Sequence, residues 1–186
     1  MMVLTKTPIC EFGKKAQKFQ LKSTNNQLIN LDDVKGENGT LIMFICNHCP
    51  YVKAIIDELV SVCIDLQNDG VNSIAIMSND TENYPEDSFE NMIKFAQQHK
   101  FRSIHYCIDE TQEIAKKYGA VCTPDFFGYN KDLELQYRGR IRELKNLKPV
   151  RKGDSDLKLA MKKIAKEQKG PINQIPSMGC NIKWFS

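Results

Sequence analysis

The sequence predicts an α/β protein with a central mixed β-sheet flanked by helices, opened by an N-terminal β-hairpin extension and closed by a packed C-terminal tail. Three observations carry that expectation. Short unbroken apolar runs alternate with stretches whose apolar residues recur every three or four positions, the pattern of buried parallel strands joined by helices. An antiparallel pair of apolar runs follows the last such unit and gives the sheet a mixed edge. The length of 186 residues suits one domain with its own core, placed at about 12–168 with a tail over 169–186.

Each element has a local reason. Residues 18–34, KFQLKSTNNQLINLDDV, alternate apolar and polar on both sides of Thr24-Asn25-Asn26, which reads as strand, turn, strand. After a loop over 35–40, LIMFIC at 41–46 is a strand buried on both faces. From Pro50, residues Val52, Ile55, Ile56, Leu59, Cys63 and Leu66 form one helical stripe that stops near Asn68-Asp69-Gly70. VNSIAIMSND is a second buried strand. YPEDSFENMIKFAQQHK, with proline and acids first and a base last, fits a helix and its dipole. SIHYCID is a third strand, and ETQEIAKKYGA is a shorter helix that Gly119 caps. VCTPDFFGYN and LELQYRGRI pair about Asn130-Lys131-Asp132, and residues 156–168 make a last amphipathic helix. The tail, GPINQIPSMGCNIKWF, is too apolar and too punctuated by Pro and Gly for a disordered end, so it should pack back on the domain.

Composition narrows the function. The 26 basic and 23 acidic residues are interspersed and leave a net charge of +3, which argues against a nucleic-acid partner. No stretch approaches the roughly 20 apolar residues of a membrane span, and the start is too short and polar for a secretory signal, so no membrane association and a cytoplasmic location are expected. Seven cysteines, at 10, 46, 49, 63, 107, 122 and 180, are an odd number for a disulfide framework. Any disulfide in a reducing compartment should be transient.

The chemistry centres on Ile45-Cys46-Asn47-His48-Cys49-Pro50-Tyr51, a C-x-x-C between a strand and a helix. A cysteine at a helix N-terminus meets unpaired backbone N–H groups, which favour the thiolate. If Cys46 capped the helix, Pro50 would fall where an N–H is needed and would push Cys49 out of helical geometry. If Cys49 is the cap, Pro50 takes the first helical position, where proline is favoured. Cys49 is therefore the expected nucleophile and Cys46, three residues upstream, its nearest resolving partner.

Here the chain resembles the thioredoxin-like superfamily and, within it, the alkyl hydroperoxide reductase/thiol-specific antioxidant branch of peroxiredoxin-like proteins. Three stretches carry the resemblance: LIMFICNHCPYVKA, YGAVCTPDFF and the opening hairpin. Against the family's F-x-x-x-x-C-P-x-C-[KR]-A, this chain matches at Phe44, Cys49, Pro50, Lys53 and Ala54 and has Val52 at the second cysteine. Against the peroxidatic P-x-x-x-[ST]-x-x-C, it has Ile42 at the proline and Cys46 at the hydroxyl residue, so that signature is incomplete. The resemblance implies a thioredoxin-like fold, a cis bond at Thr123-Pro124, and a Thr123 backbone that meets an incoming peptide or disulfide.

A peroxidatic site also needs a cation at the thiolate, and Arg138 or Arg140 could supply it from the neighbouring edge strand, if they are not simply solvated. His48 could tune Cys49 or be an exposed loop residue. Cys122 and Cys180 are possible additional redox thiols, with packing the simpler role for Cys122; Cys10, Cys63 and Cys107 read as structural. The expected function is a thiol-dependent oxidoreductase that reduces peroxides or disulfides, with no cofactor and no resident metal. Its partners would be the peroxide or disulfide substrate and a thioredoxin-like or small-thiol reductant, and the protein would be a monomer or weak homodimer. Two other readings stand beside it: a copper or zinc site built from Cys46, Cys49 and His48, and a redox-inert binding scaffold.

Overall fold

The computed structural model describes residues 3–186. Its first strand, β1 (Leu4–Lys6), lies in a stretch where the sequence offered no strand signal. The opening hairpin is β2 (Gln20–Ser23) and β3 (Leu28–Asn30), turning through Asn26 at φ 59°. Residues 31–34 leave the hairpin as a one-turn helix, α1 (Leu31–Val34), because the Asp33 carboxylate accepts from the Asn30 N–H at 2.7 Å and closes a capping box.

The alternating units follow: β4 (Gly39–Phe44), α2 (Pro50–Asn68), β5 (Val71–Met77), α3 (Phe89–Gln98), β6 (Ile104–Ile108) and α4 (Glu113–Tyr118). The stretch expected as one helix from Tyr84 is divided. Pro85–Asp87 forms a separate 3-10 turn, and the Ser88 hydroxyl accepts from the Asn91 N–H to start α3 afresh. Gly119 ends α4 at φ 66°, a left-handed cap that costs glycine little.

Strand β7 (Cys122–Thr123) leads into the Thr123–Pro124 bond, which is cis, and β8 (Asp125–Asn130) and β9 (Leu135–Tyr137) follow it. A small hairpin of β10 (Leu144–Lys145) and β11 (Lys148–Pro149), then α5 (Asp156–Glu167) and β12 (Met178–Asn181), complete the chain. The strand expected to run to Ile141 stops at Tyr137. The tail takes over its backbone: Arg138 N–H donates to the Gln174 side chain at 2.8 Å and Arg140 N–H to the Ile175 carbonyl at 2.7 Å.

Seven strands form the main sheet in the order β3-β2-β6-β5-β4-β8-β9, parallel between β4, β5 and β6 and antiparallel elsewhere. Strand β4 is central and wholly buried, and its side chains divide the core in two. Leu41 and Met43 join the cluster under α2, α3 and α5, while Ile42 and Phe44 join the one under α1 and α4. Helices on both faces of a mixed sheet make a thioredoxin-like α/β fold. A second sheet, β1-β12-β7, places the tail strand between the N-terminal strand and the segment before Pro124. No helix is long and apolar enough to cross a membrane among the described residues.

Candidate active site

The cysteine loop hangs from the end of the most buried strand. Ile45 N–H still bonds the Ile76 carbonyl at 3.0 Å, after which residues 46–48 leave the sheet and Cys49 caps α2 with Pro50 as its first residue. Lys53 N–H donates to the Cys49 carbonyl at 3.0 Å and closes the first turn. Cys46 and Cys49 are both buried.

Three elements meet at Cys49. Its Sγ lies 3.2 Å from the Thr123 carbonyl oxygen and 3.0 Å from Cys180 Sγ, while Cys46 Sγ lies 3.5 Å from Thr123 Oγ1. The Cys49 thiol is held below its ordinary range, first by a hydrogen bond from Cys46, and then, against burial, by bonds from Cys180, the Thr123 hydroxyl and the Val52 N–H. The partners move the other way. Cys46 is raised because its proton serves Cys49 and because burial and the Asp87 charge disfavour a second anion, and burial with the Cys49 bond lifts Cys180 to about 12. One thiolate between two protonated thiols is the state this arrangement favours.

His48 lies between Cys46 and Asp87. Its Nδ1 is 2.6 Å from Asp87 Oδ2, and its ring stacks at 9° on Tyr84. Asp87 is fully buried and also accepts from the Asn47 N–H at 2.8 Å, the His48 N–H at 3.3 Å and the Asn79 amide at 2.8 Å. Burial alone would raise the Asp87 carboxyl, but the bonds from His48, Asn79 and Asn47 hold it below its ordinary value. The bond to Asp87 raises His48 against the cost of burial. Tyr106 completes the network, donating to the Asn47 side-chain oxygen at 2.8 Å. Sequence reading missed Asp87: it stands in the 3-10 turn, far along the chain, inside a stretch whose acids read as a helix start.

The two arginines considered as thiolate cations have other partners. Arg138 is buried, holds Asp125 through Nε at 3.3 Å and a terminal nitrogen at 3.0 Å, donates to the Gly119 carbonyl at 2.7 Å and stacks over Phe127. Arg140 is paired with Asp156 at 2.8 Å. Neither guanidinium makes a hydrogen bond to Cys46 or Cys49 among the described residues, and both are drawn away by buried or half-buried carboxylates. Arg138 instead anchors the residue that follows Pro124. Cys122 is packed in β7 with its Sγ 3.6 Å from the Pro124 carbonyl, and burial raises its thiol far above the ordinary range. Cys63 and Cys107 are buried and pushed up to about 12 by desolvation.

The donor set nearest to a metal site is Cys46, His48 and Asp87, whose ligand atoms lie within 4.8 Å of one another. It differs from the sequence-derived set in having Asp87 in place of Cys49. The His48 nitrogen that faces Cys46, Nδ1, is already hydrogen-bonded to Asp87 at 2.6 Å. Two clefts border the loop: one of about 280 Å³ walled by Tyr51, Ile55, Pro124 and Arg140, and a shallower one of about 610 Å³ walled by Asn47, His48, Lys53 and His99.

Known proteins place the chain. A crystal structure of an uncharacterized conserved protein from Geobacillus kaustophilus is 40% identical, covers 100% of this chain and 98% of its own, and superposes with a TM-score of 0.94. A hypothetical protein from Sinorhizobium meliloti is 32% identical over 98% of this chain and 99% of its own, with a TM-score of 0.90. A peroxidoxin from Mycobacterium tuberculosis shares the fold at 12% identity and a TM-score of 0.56, over 68% of this chain and 82% of its own. No curated protein matches. The AhpC/TSA family pattern matches residues 12–144, all seven strands of the main sheet and the whole cysteine loop, and with that span this chain belongs to the AhpC/TSA family, with a thiol oxidoreductase type of function.

Proposed function

We propose that the protein is a thiol-dependent oxidoreductase in which the Cys49 thiolate attacks a peroxide or a disulfide and Cys46 resolves the product. The observation that carries this reading is the charge distribution of the loop: Cys49 caps α2 and is lowered by its thiol neighbours, while Cys46 keeps its proton. With a disulfide, Cys49 Sγ bonds one substrate sulfur and the other leaves as a thiolate. With a peroxide, it takes one oxygen to become a sulfenic acid and the second leaves as an alkoxide or hydroxide. Cys46 then bonds Cys49 Sγ and releases the remaining thiolate or, with its proton, water. A thioredoxin-like protein or small thiol reopens the disulfide. The His48–Asp87 pair, beside Cys46 at 3.9 Å, is placed to take part in moving the Cys46 proton.

Disulfides are favoured over peroxides, because Arg138 and Arg140 are spent on Asp125 and Asp156 and leave the thiolate without a guanidinium to polarise an O–O bond. Stopped-flow reaction of the reduced protein with hydrogen peroxide, set against reduction of insulin disulfides, decides between them in wild type, Cys49→Ser and Cys46→Ser. Disulfide reduction that Cys49→Ser abolishes is the expected result. Equal activity in Cys49→Ser rejects the reading.

A further inference from the structure

The tail strand carries a second sulfur against Cys49. Strand β12 lies antiparallel on β7, with Cys180 registered on Thr123 and Asn181 on Cys122. Cys180 Sγ thereby reaches 3.0 Å from Cys49 Sγ, while the Thr123 carbonyl stands 3.2 Å from that same sulfur. The approach is built in. A Cβ on Gly179 would meet the Thr123 carbonyl oxygen at 2.0 Å, so β12 reaches this depth only with glycine before the cysteine.

The strand is also held from outside. β1 pairs with its other edge, with Leu4 opposite Cys180 and Lys6 opposite Met178. Ser177 Oγ donates to the Pro124 carbonyl at 2.8 Å, and beyond the strand Lys183 N–H donates to the Asn79 side chain at 2.9 Å. Cys180 is 2% exposed, beside the fully buried Cys49. A cysteine held this way, against the most acidic thiol of the chain, is not accounted for by the Cys46–Cys49 cycle.

We propose that Cys180 is a second resolving thiol, closing a Cys49–Cys180 disulfide, and that β12 acts as an internal stand-in for a substrate strand on the Thr123 edge. This rests on Cys49 being the nucleophile. After Cys49 has formed a mixed disulfide, Cys180 Sγ bonds Cys49 Sγ, the substrate thiolate leaves, and the Cys180 proton passes to it. The substrate disulfide is reduced by two electrons and the Cys49/Cys180 pair oxidised by two. A sulfenic acid at Cys49 reacts likewise, with its hydroxyl leaving as water once it takes the Cys180 proton. Cys46 and Cys180 then compete for one sulfur, and an external thiol restores either product.

The test is oxidation of the reduced full chain with 2-hydroxyethyl disulfide and, separately, with one equivalent of hydrogen peroxide. Remaining thiols are alkylated and the peptides mapped by mass spectrometry in wild type, Cys46→Ser, Cys180→Ser and Cys49→Ser, each checked for fold by circular dichroism. A Cys49–Cys180 linked peptide is expected in wild type and as the main product in Cys46→Ser, with its loss in Cys180→Ser and Cys49→Ser. If Cys49 is oxidised in Cys46→Ser while Cys180 stays free, this proposal is overturned and the Cys49 mechanism survives. If Cys49 is untouched by both oxidants in every variant that contains it, both fall together.

Discussion

Cys49 takes its acidity from the groups that donate to it. The bond from Cys46 is the largest influence lowering it, ahead of Cys180, Thr123 and the Val52 N–H. Replacing Cys46 with alanine removes a hydrogen bond to a charged acceptor worth about 1.5–3 kcal/mol. With the Cys49 thiol at about 5, the thiolate fraction at pH 6, read from absorbance near 240 nm, should fall about twofold to fifteenfold as a result. His48 and Asp87 make a second prediction. His48 is raised above its ordinary 6.5, so its contribution to stability is full below that value and fades as pH rises through the folded pKa. Asp87 is depressed below 3.8, so its contribution is present above that value and is lost as pH falls through the folded pKa. The pair is worth most between those two ordinary values, and Asp87→Asn should move the His48 midpoint down in an NMR titration. The cysteines of this site were legible because proline arithmetic is local. Asp87 was not, because nothing in Tyr-Pro-Glu-Asp says that its carboxylate will be buried under a loop assembled from another unit.

At the scale of elements, the segment around Pro124 is held by Arg138. Its guanidinium spans Asp125 and the Gly119 carbonyl and lies on Phe127, and burial still leaves the Asp125 carboxyl raised. Replacing Arg138 with methionine would strand a buried carboxylate and should cost about 3–5 kcal/mol in denaturant unfolding. A direct role at the thiolate would instead cost activity with little stability. Gly179→Ala tests the seat of β12. With a Cβ blocked by the Thr123 carbonyl, the strand must lift, and reaction of the Cys49 thiol with a bulky disulfide reagent should quicken at least severalfold. The central strands and the long helix were readable from periodicity, since burial on two faces leaves unbroken apolar runs. Strands β1, β10, β11 and β12 were not, because they are two to four residues long and exist through partners distant in sequence. The same cause shortened β9: Arg138 and Arg140 read as strand-edge residues until the tail claimed their backbone.

Across the whole molecule, strands from near the two chain ends join β7 in one small sheet, and the sulfur that sheet carries stands 3.0 Å from Cys49 Sγ. The sequence marked Cys180 as a possible redox thiol and the tail as packed, yet could not place them, since register between chain ends leaves no periodic trace. The central claim is that Cys49 leads and that a second thiol always follows it. The most direct measurement is a count of free thiols in the denatured protein, before and after one equivalent of hydrogen peroxide or a small disulfide. The reduced wild type should lose two of its seven thiols, Cys46→Ser and Cys180→Ser should each still lose two, and Cys49→Ser should lose none. Loss of two thiols from Cys49→Ser at the wild-type rate would contradict the account.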